Sequence, residues 1–437
     1  MFFWAMNPFT FTKIFSISKS LEMDALGLFL VSLTIFNTLS CLITRHTIKT
    51  ISRKALGLWL AGMAAISVLF FISFNWVKFY VFFELTLVPI LIIILGWGYQ
   101  SERLKASKAI VLYTVTGSLP LLAIILLFNL NGLSSFFQSP WRAFSRNLER
   151  VNLLIISAAF LIKLPIFFVH MWLPKAHVEA PVVGSIYLAG ILLKLGGFGV
   201  IKLKNGLLFP STAGLVILRV RAWGLFYTRG LCIQLVDTKV LIAFSSVSHI
   251  GVGLIAGLRG TGLGLSAMLI VLVAHGLRSS VIFYQRFLFY QKVNSRSLLL
   301  SKRGAFVGGM WLLAWVVANL RIIGAPPTVN LWVEIRAFLS IQTRRLFLIK
   351  LLFWAALLTG AYCFSLVRTV YSGNQKSPFY RGAPLFRLDL VHVFIYGVIM
   401  VLFIALIPLF TLYINMNNDF SNEICSCLRI CCPGSFC

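Results

Sequence analysis

Apolar runs long enough to cross a bilayer recur along most of this chain, and they settle its fold class before any motif is read. A run such as WVKFYVFFELTLVPILIIILG, residues 76–96, is predominantly apolar, and a membrane-crossing helix needs roughly 20 residues of this kind. The runs are continuous and do not alternate with polar residues, which excludes an outer-membrane β-barrel. Hydrophobic residues make up 59% of the 437, charged ones 11%, and the mean hydropathy is +0.93. Such proportions exclude a soluble Rossmann or P-loop enzyme, a secreted disulfide scaffold and a disordered chain. With roughly 20 residues per span and short loops, the length accommodates about a dozen helices. The expected fold is therefore an all-α polytopic membrane protein.

Candidate spans fall at residues 24–43, 55–74, 76–96, 107–130, 152–169, 182–202, 206–230, 238–257, 262–289, 304–340, 346–370 and 390–414. They divide the chain into an N-terminal segment 1–23, a transmembrane bundle 24–414 and a Cys-rich tail 415–437. Only 131–150 and 285–303 read as sizeable loops. Met1 to Ser18 lacks a charged n-region and a small-residue cleavage site, so no signal peptide is read there. The net charge of +28, from 39 Lys and Arg against 11 Asp and Glu, lies mostly between the apolar runs. That placement points to membrane surfaces as the partner of the charge and implies no nucleic acid.

Two segments are interrupted by proline inside apolar runs: Lys163-Leu-Pro165, and Ala325-Pro-Pro-Thr followed by Glu334. The second lies in a run too long for one straight crossing. Breaks at corresponding positions of two halves are the sequence signature of inverted-repeat transporters with a pathway at mid-membrane. By span order the two breaks lie five helices apart, as inverted five-helix repeats require.

Ionisable residues inside the runs carry the functional signal, since each costs about 2.5 to 3.5 kcal/mol at a helix centre on insertion scales. Glu84, Lys163, Lys194, His249, His275 and Glu334 occupy six different spans. A buried Lys loses proton affinity, and a neighbouring carboxylate restores it, so a Glu84–Lys163 pair that tightens and loosens would bind and release a proton. Histidine suits a relay because it exchanges protons near neutral pH. Pro165 and Pro89 cannot bond the carbonyls of Leu161 and Leu85, which are expected to hold water beside these groups. The duller alternatives are structural pairing for Glu84 and Lys163, snorkelling of Lys194 toward a helix end, satisfied core histidines, and a helix N-terminal preference for Glu334.

Redox chemistry within the chain finds no such support. Gly251-Val-Gly253 and Gly262-Leu-Gly264 mimic a dinucleotide fingerprint but lack a preceding strand, so they read as helix-packing glycines. Cys41, Cys232 and Cys363 are isolated, and Cys425, Cys427, Cys431, Cys432 and Cys437 crowd the tail with no His nearby. No cofactor or metal is expected in this chain.

Several longer motifs, taken in order, resemble the antiporter-like subunits of respiratory complex I, the mitochondrial NADH:ubiquinone oxidoreductase. They are WGYQSERL (Trp97 to Leu104), HMWLPKAHVEAP (His170 to Pro181), LLKLGGFG (Leu192 to Gly199), LIAFSSVSHI (Leu241 to Ile250), AHGL with Ser279 and Ser280, and GAPPTVNL (Gly324 to Leu331). The resemblance runs from about Asp24 to the last span. It implies a proton-pumping, multi-pass subunit of the mitochondrial inner membrane, partnered by the bilayer and by other complex I membrane-arm subunits. NADH, FMN, iron-sulfur clusters and ubiquinone would belong to partner subunits. It also implies roles: pump glutamate for Glu84, its paired lysine for Lys163, central lysine for Lys194, relay histidines for His249 and His275, and the distal acidic residue for Glu334. The family's glutamate-bearing helix is usually its fifth and here is the third span, so about two of its N-terminal helices are read as absent or as missing from this reading of the gene. The rival functions are a free-standing cation/proton antiporter of the same fold and a structural subunit that no longer pumps.

Arg278, Arg336 and Arg221 depart from this pattern, since an unpaired guanidinium beside a proton path should disturb it. In several mitochondrial codes two arginine codons are read as Ser or Gly, and we read some of these positions as such codons. Peptide mass spectrometry of the purified subunit is expected to find a small residue at 278 and 336. Arginine observed there defeats this reading.

Overall fold

A computed structural model describes residues 15–18, 21–44, 53–98, 101–130, 156–206, 211–258, 261–293, 295–298, 309–326, 328–341 and 346–371. A short antiparallel hairpin, β1 (Phe15–Ser18) and β2 (Leu21–Met23), precedes the bundle, and an isolated antiparallel bridge pairs Asp237 with Ser297. The helices are α1 (Ala25–Thr44), α2 (Arg53–Ile72), α3 (Trp76–Leu85), α4 (Leu87–Trp97), α5 (Arg103–Leu130), α6 (156–163), α7 (Trp172–Glu179) and α8 (Val182–Tyr187). After a π-helical turn, Leu188–Leu192, come α9 (Leu193–Gly206), α10 (Ser211–Gln234), α11 (Thr238–Leu258), α12 (Gly262–Val293), α13 (Gly309–Ile323), α14 (Val329–Ile341) and α15 (Leu346–Tyr371).

Eight helices or helix pairs among the described residues are long and apolar enough to span a bilayer. Together with α10 and the two broken pairs, α6 with α7 and α13 with α14, they cover every expected span except 390–414, which lies outside the described residues. The span at 76–96 is itself divided at Thr86, three residues before Pro89, whose ring and missing N–H disturb the preceding turn. Pro120, by contrast, sits inside an unbroken α5. The loop expected from residue 285 begins later, because α12 continues to Val293 and buries Gln285, whose amide donates to the carbonyl of Ala314 at 3.1 Å.

Burial divides the spans into two classes. In Val182–Leu203, Thr238–Leu258 and Gly262–Gln291, 94% of the apolar window is buried, against 39% to 44% in the other spans. The first three form the centre and the rest a wall. On α2, Leu56, Leu60, Met63, Ser67 and Phe70 face inward at helical spacing while Leu58 and Leu69 stay exposed, although the whole helix is apolar. The central helices approach closely because glycines line their contact. A Cβ added to Gly253 of α11 would stand 2.8 Å from the Val271 side chain of α12, so Gly253 packs as read.

Candidate functional site

Lys163 ends α6, and Pro165 two residues later stops the helix. The chain then runs through non-helical turns, with Phe168 at φ +79°, before α7 resumes at Trp172. A cation at a helix C-terminus is favoured by the dipole and by carbonyls without helical partners. The carbonyl of Leu161 is not free, however: it accepts the Ile166 N–H at 3.3 Å, one residue beyond the helical register.

The Lys163 side chain is 2% exposed, and its Nζ donates to the carbonyl of Phe83 at 2.6 Å while standing 3.1 Å from the Phe83 ring centroid. Phe83 lies in the last turn of α3, just before the division at Thr86. Glu84 is the next residue and an electrostatic neighbour of Lys163, yet the two form no salt bridge among those present. Glu84 Oε1 is buried without a hydrogen-bond partner. Lys163 is thus held beside its carboxylate and not upon it. A charge-assisted hydrogen bond contributes roughly 1.5 to 3 kcal/mol and a desolvated cation–π contact about 2, close to the insertion cost of a lysine. These contacts offset much of that cost and let the ammonium sit inside the bundle beside Glu84.

Lys194 occupies the second position of α9, directly after the π-helical turn, where extra backbone slack commonly marks functional sites. It is wholly buried, donates to the carbonyl of Ala189 inside that turn, and lies 2.9 Å from His275 Nδ1 of α12. Snorkelling is overturned: the side chain points into the bundle because two partners wait there. His275 Nε2 has no partner, and His249 of α11 is its electrostatic neighbour. His249 Nε2 stands 3.4 Å from the Tyr362 hydroxyl of α15, a contact the apolar run around Tyr362 did not announce. Glu334 lies mid-way along α14, not at its N-terminus, and its carboxylate is 3.9 Å from Arg229 Nη2, too long for a hydrogen bond.

The six ionisable residues therefore form two groups. Glu84 and Lys163 make one. Lys194 and His275 make the other, extended by His249 toward Tyr362, Arg278 and Glu334. A small cavity borders the first group, its walls including Lys163, Thr114, Trp172 and, from the π-helical turn, Leu188 and Leu192. Among the described residues no three His, Cys, Asp or Glu side chains converge as metal ligands, and Cys41, Cys232 and Cys363 are free thiols. The tail cysteines lie outside the described residues.

The intramembrane arginines are poorly served. Among the described residues Arg221 donates to the carbonyl of Pro165, yet its Nε and Nη2 are buried without hydrogen-bond partners, as are Arg278 Nε and Nη1 and Arg336 Nη1, while Arg229 Nη2 pairs with Glu334 at 3.9 Å. Buried guanidinium groups left in this state cost several kcal/mol each.

A family model described as NADH:quinone oxidoreductase/Mrp antiporter, TM, matches residues 73–359. NADH-ubiquinone oxidoreductase chain 4 of Polypterus ornatipinnis is 37% identical over 324 residues, which cover 73% of this chain and 70% of that protein. Its counterpart from Albinaria caerulea is 35% identical over 369 residues, 83% of each chain. In fold, a chain of respiratory complex I from Thermus thermophilus with bound NADH superposes with a TM-score of 0.79 at 24% identity, covering 90% of this chain and 85% of that one. A chain of the Mrp complex from Dietzia sp. does so with 0.77 at 14%, covering 90% and 83%.

Proposed function

The chain belongs to the membrane-subunit family of NADH:quinone oxidoreductases and Mrp antiporters, and on that premise we propose that it is the proton-translocating chain 4 subunit of a mitochondrial complex I. Electron transfer from NADH to ubiquinone takes place in partner subunits, which carry FMN and the iron-sulfur clusters. The energy reaches this subunit through neighbouring membrane-arm subunits and is spent moving protons across the mitochondrial inner membrane. The observation that carries this reading is the burial of Lys163, Lys194, His249 and His275 inside the bundle, with Lys194 and His275 in hydrogen-bond contact.

A proton step needs only small motions. Glu84 moving toward Lys163 stabilises the ammonium form; Glu84 moving away leaves the lysine against an uncharged carbonyl and ring, and it gives its proton to water in the adjoining cavity. Lys194 receives it and passes it to His275, then to His249 and the polar end near Tyr362 and Glu334. Charge repulsion along the line makes each step depend on its neighbours.

The likeness to an Mrp chain keeps a free-standing antiporter as the second reading. Native gel electrophoresis of mildly solubilised membranes separates the two. Migration with a very large NADH-oxidising assembly is the expected result; migration at about the mass of the chain alone, 48.9 kDa, sinks the complex I assignment.

A further inference from the structure

Asn37 sits inside the apolar helix α1, fully buried, and among the described residues neither its amide nitrogen nor its amide oxygen has a hydrogen-bond partner. The hydroxyls of Thr34, Thr38, Ser40 and Thr44 on the same helix all turn back to carbonyls three residues earlier; the amide does not. A carboxamide has two donors and an acceptor oxygen, and each buried group left unmet costs roughly 1 to 3 kcal/mol. Leucine would fill the same space without that cost.

The seating of α1 decides where the amide goes. Leu33, Asn37 and Cys41 recur every four residues and share one stripe of the helix. At one end of the stripe Leu33 packs on Gly276 of α12, where an added Cβ would stand 2.7 Å from its side chain. At the other, Cys41 Sγ donates to the Val183 carbonyl of α8 at 3.8 Å. Between them the Asn37 amide covers Gly190, the middle residue of the π-helical turn, and a Cβ there would come 2.7 Å from Nδ2 and 3.4 Å from Oδ1. Gly190 directly follows Ala189, whose carbonyl accepts Lys194. Its own carbonyl packs 3.1 Å from the place of a Cβ on Gly276, the residue after His275. The unmet amide thus stands against the one residue that joins the Lys194 acceptor to the helix bearing His275.

We propose that Asn37 is a positioning residue for Lys194, the alternate donor to the π-helical turn. With the lysine charged, its ammonium takes the Ala189 carbonyl and the amide goes unmet. When the lysine gives up its proton it becomes the weaker donor, and the amide turns to that carbonyl in its place, using the backbone slack of the π-helical turn. Asn37 itself gains and loses no proton. The unmet amide burdens the charged state and is relieved in the discharged one, so Asn37 favours release from Lys194. The inference rests on the relay reading of the proposed function.

The charged and titratable groups facing Lys194 are His275 and Arg278 of α12 and His177 of α7; those beside Asn37 are Cys41 and, on α8, Tyr187. None of them is altered in the test. It uses the assembled complex in sealed inner-membrane vesicles, with protons translocated per NADH oxidised measured between about pH 6 and 8, around the ordinary imidazole value. Asn37→Leu is expected to assemble at least as well as the parent, because it removes two unmet polar groups. It is expected to lower translocation about threefold at neutral pH and to move the pH profile upward by about half a unit, the same factor in proton affinity. If the Leu variant fails to assemble, Asn37→Ala decides on the same readout. Normal translocation, or a loss with the profile unmoved, overturns the proposal, since a packing role alone would not shift the profile. Lys194→Ala is run beside them: if it also pumps normally, the relay reading fails as a whole, whereas loss in Lys194→Ala with an unchanged Asn37 variant rejects the alternate donor alone.

Discussion

Lys163→Ala in the assembled complex is expected to cut proton translocation coupled to NADH oxidation at least tenfold while leaving the complex intact on a native gel. The expectation follows from what the side chain touches. Its ammonium rests on one carbonyl and one ring, beside a buried carboxylate oxygen with no partner of its own. Alanine removes the cation beside Glu84 and leaves that carboxylate without it. The bundle survives because the site is bordered by a small cavity and by Leu87, Ile90 and Leu188, which tolerate the loss. The measurement is the quench of a pH-sensitive dye in sealed vesicles, referred to the NADH oxidation rate of the same preparation. Full pumping by an assembled Lys163→Ala complex would return the subunit to a structural role.

The second large effect concerns Lys194, where charge and titration can be separated. Lys194→Arg is expected to be as inactive as Lys194→Ala, with translocation again reduced at least tenfold, because a guanidinium keeps its charge at any working pH and cannot take part in proton exchange. Were Lys194 only a structural cation, Arg would restore most of the activity. The pocket accepts one donor to the Ala189 carbonyl and one contact to His275 Nδ1, so the wider fork also crowds the π-helical turn. Paired assays of the two variants read this directly: substantial pumping by Lys194→Arg together with none by Lys194→Ala would refute titration at this position.

Much of the candidate site was legible beforehand because a charge in an apolar run is costly wherever the run is placed. That argument picked out Lys163 and Lys194 from residue type alone, and the proline after Lys163 marked the break. Other features left no trace in composition or spacing. The π-helical turn at Leu188–Leu192 has only Gly190 to suggest it. The division at Thr86 could have been suspected from Pro89, yet Pro120 occupies an equally apolar helix without breaking it. The Phe83 carbonyl could not be foreseen as the acceptor for Lys163, since every residue carries a carbonyl and only the crossing of α3 by α6 selects one. Tyr362 and His177 could have been noticed as polar rings in apolar or motif-bearing segments, but their partners lie on α11 and α12.

Membrane insertion, the helical class and the list of ionisable groups stranded in oil were already written in hydropathy, which sums over each run and needs no knowledge of its neighbours. Which of those helices stand at the centre was not. Helices that are apolar on every side have no sidedness to read, so the near-complete burial of the three central spans against the half-bare faces of the others emerges only when the bundle packs. The pairing of Lys194 with His275, and the seating of Lys163 beside Glu84 without a bond between them, likewise depend on distances across helices far apart in the chain. Interactions of that kind fall off within a few ångströms, so packing alone decides them.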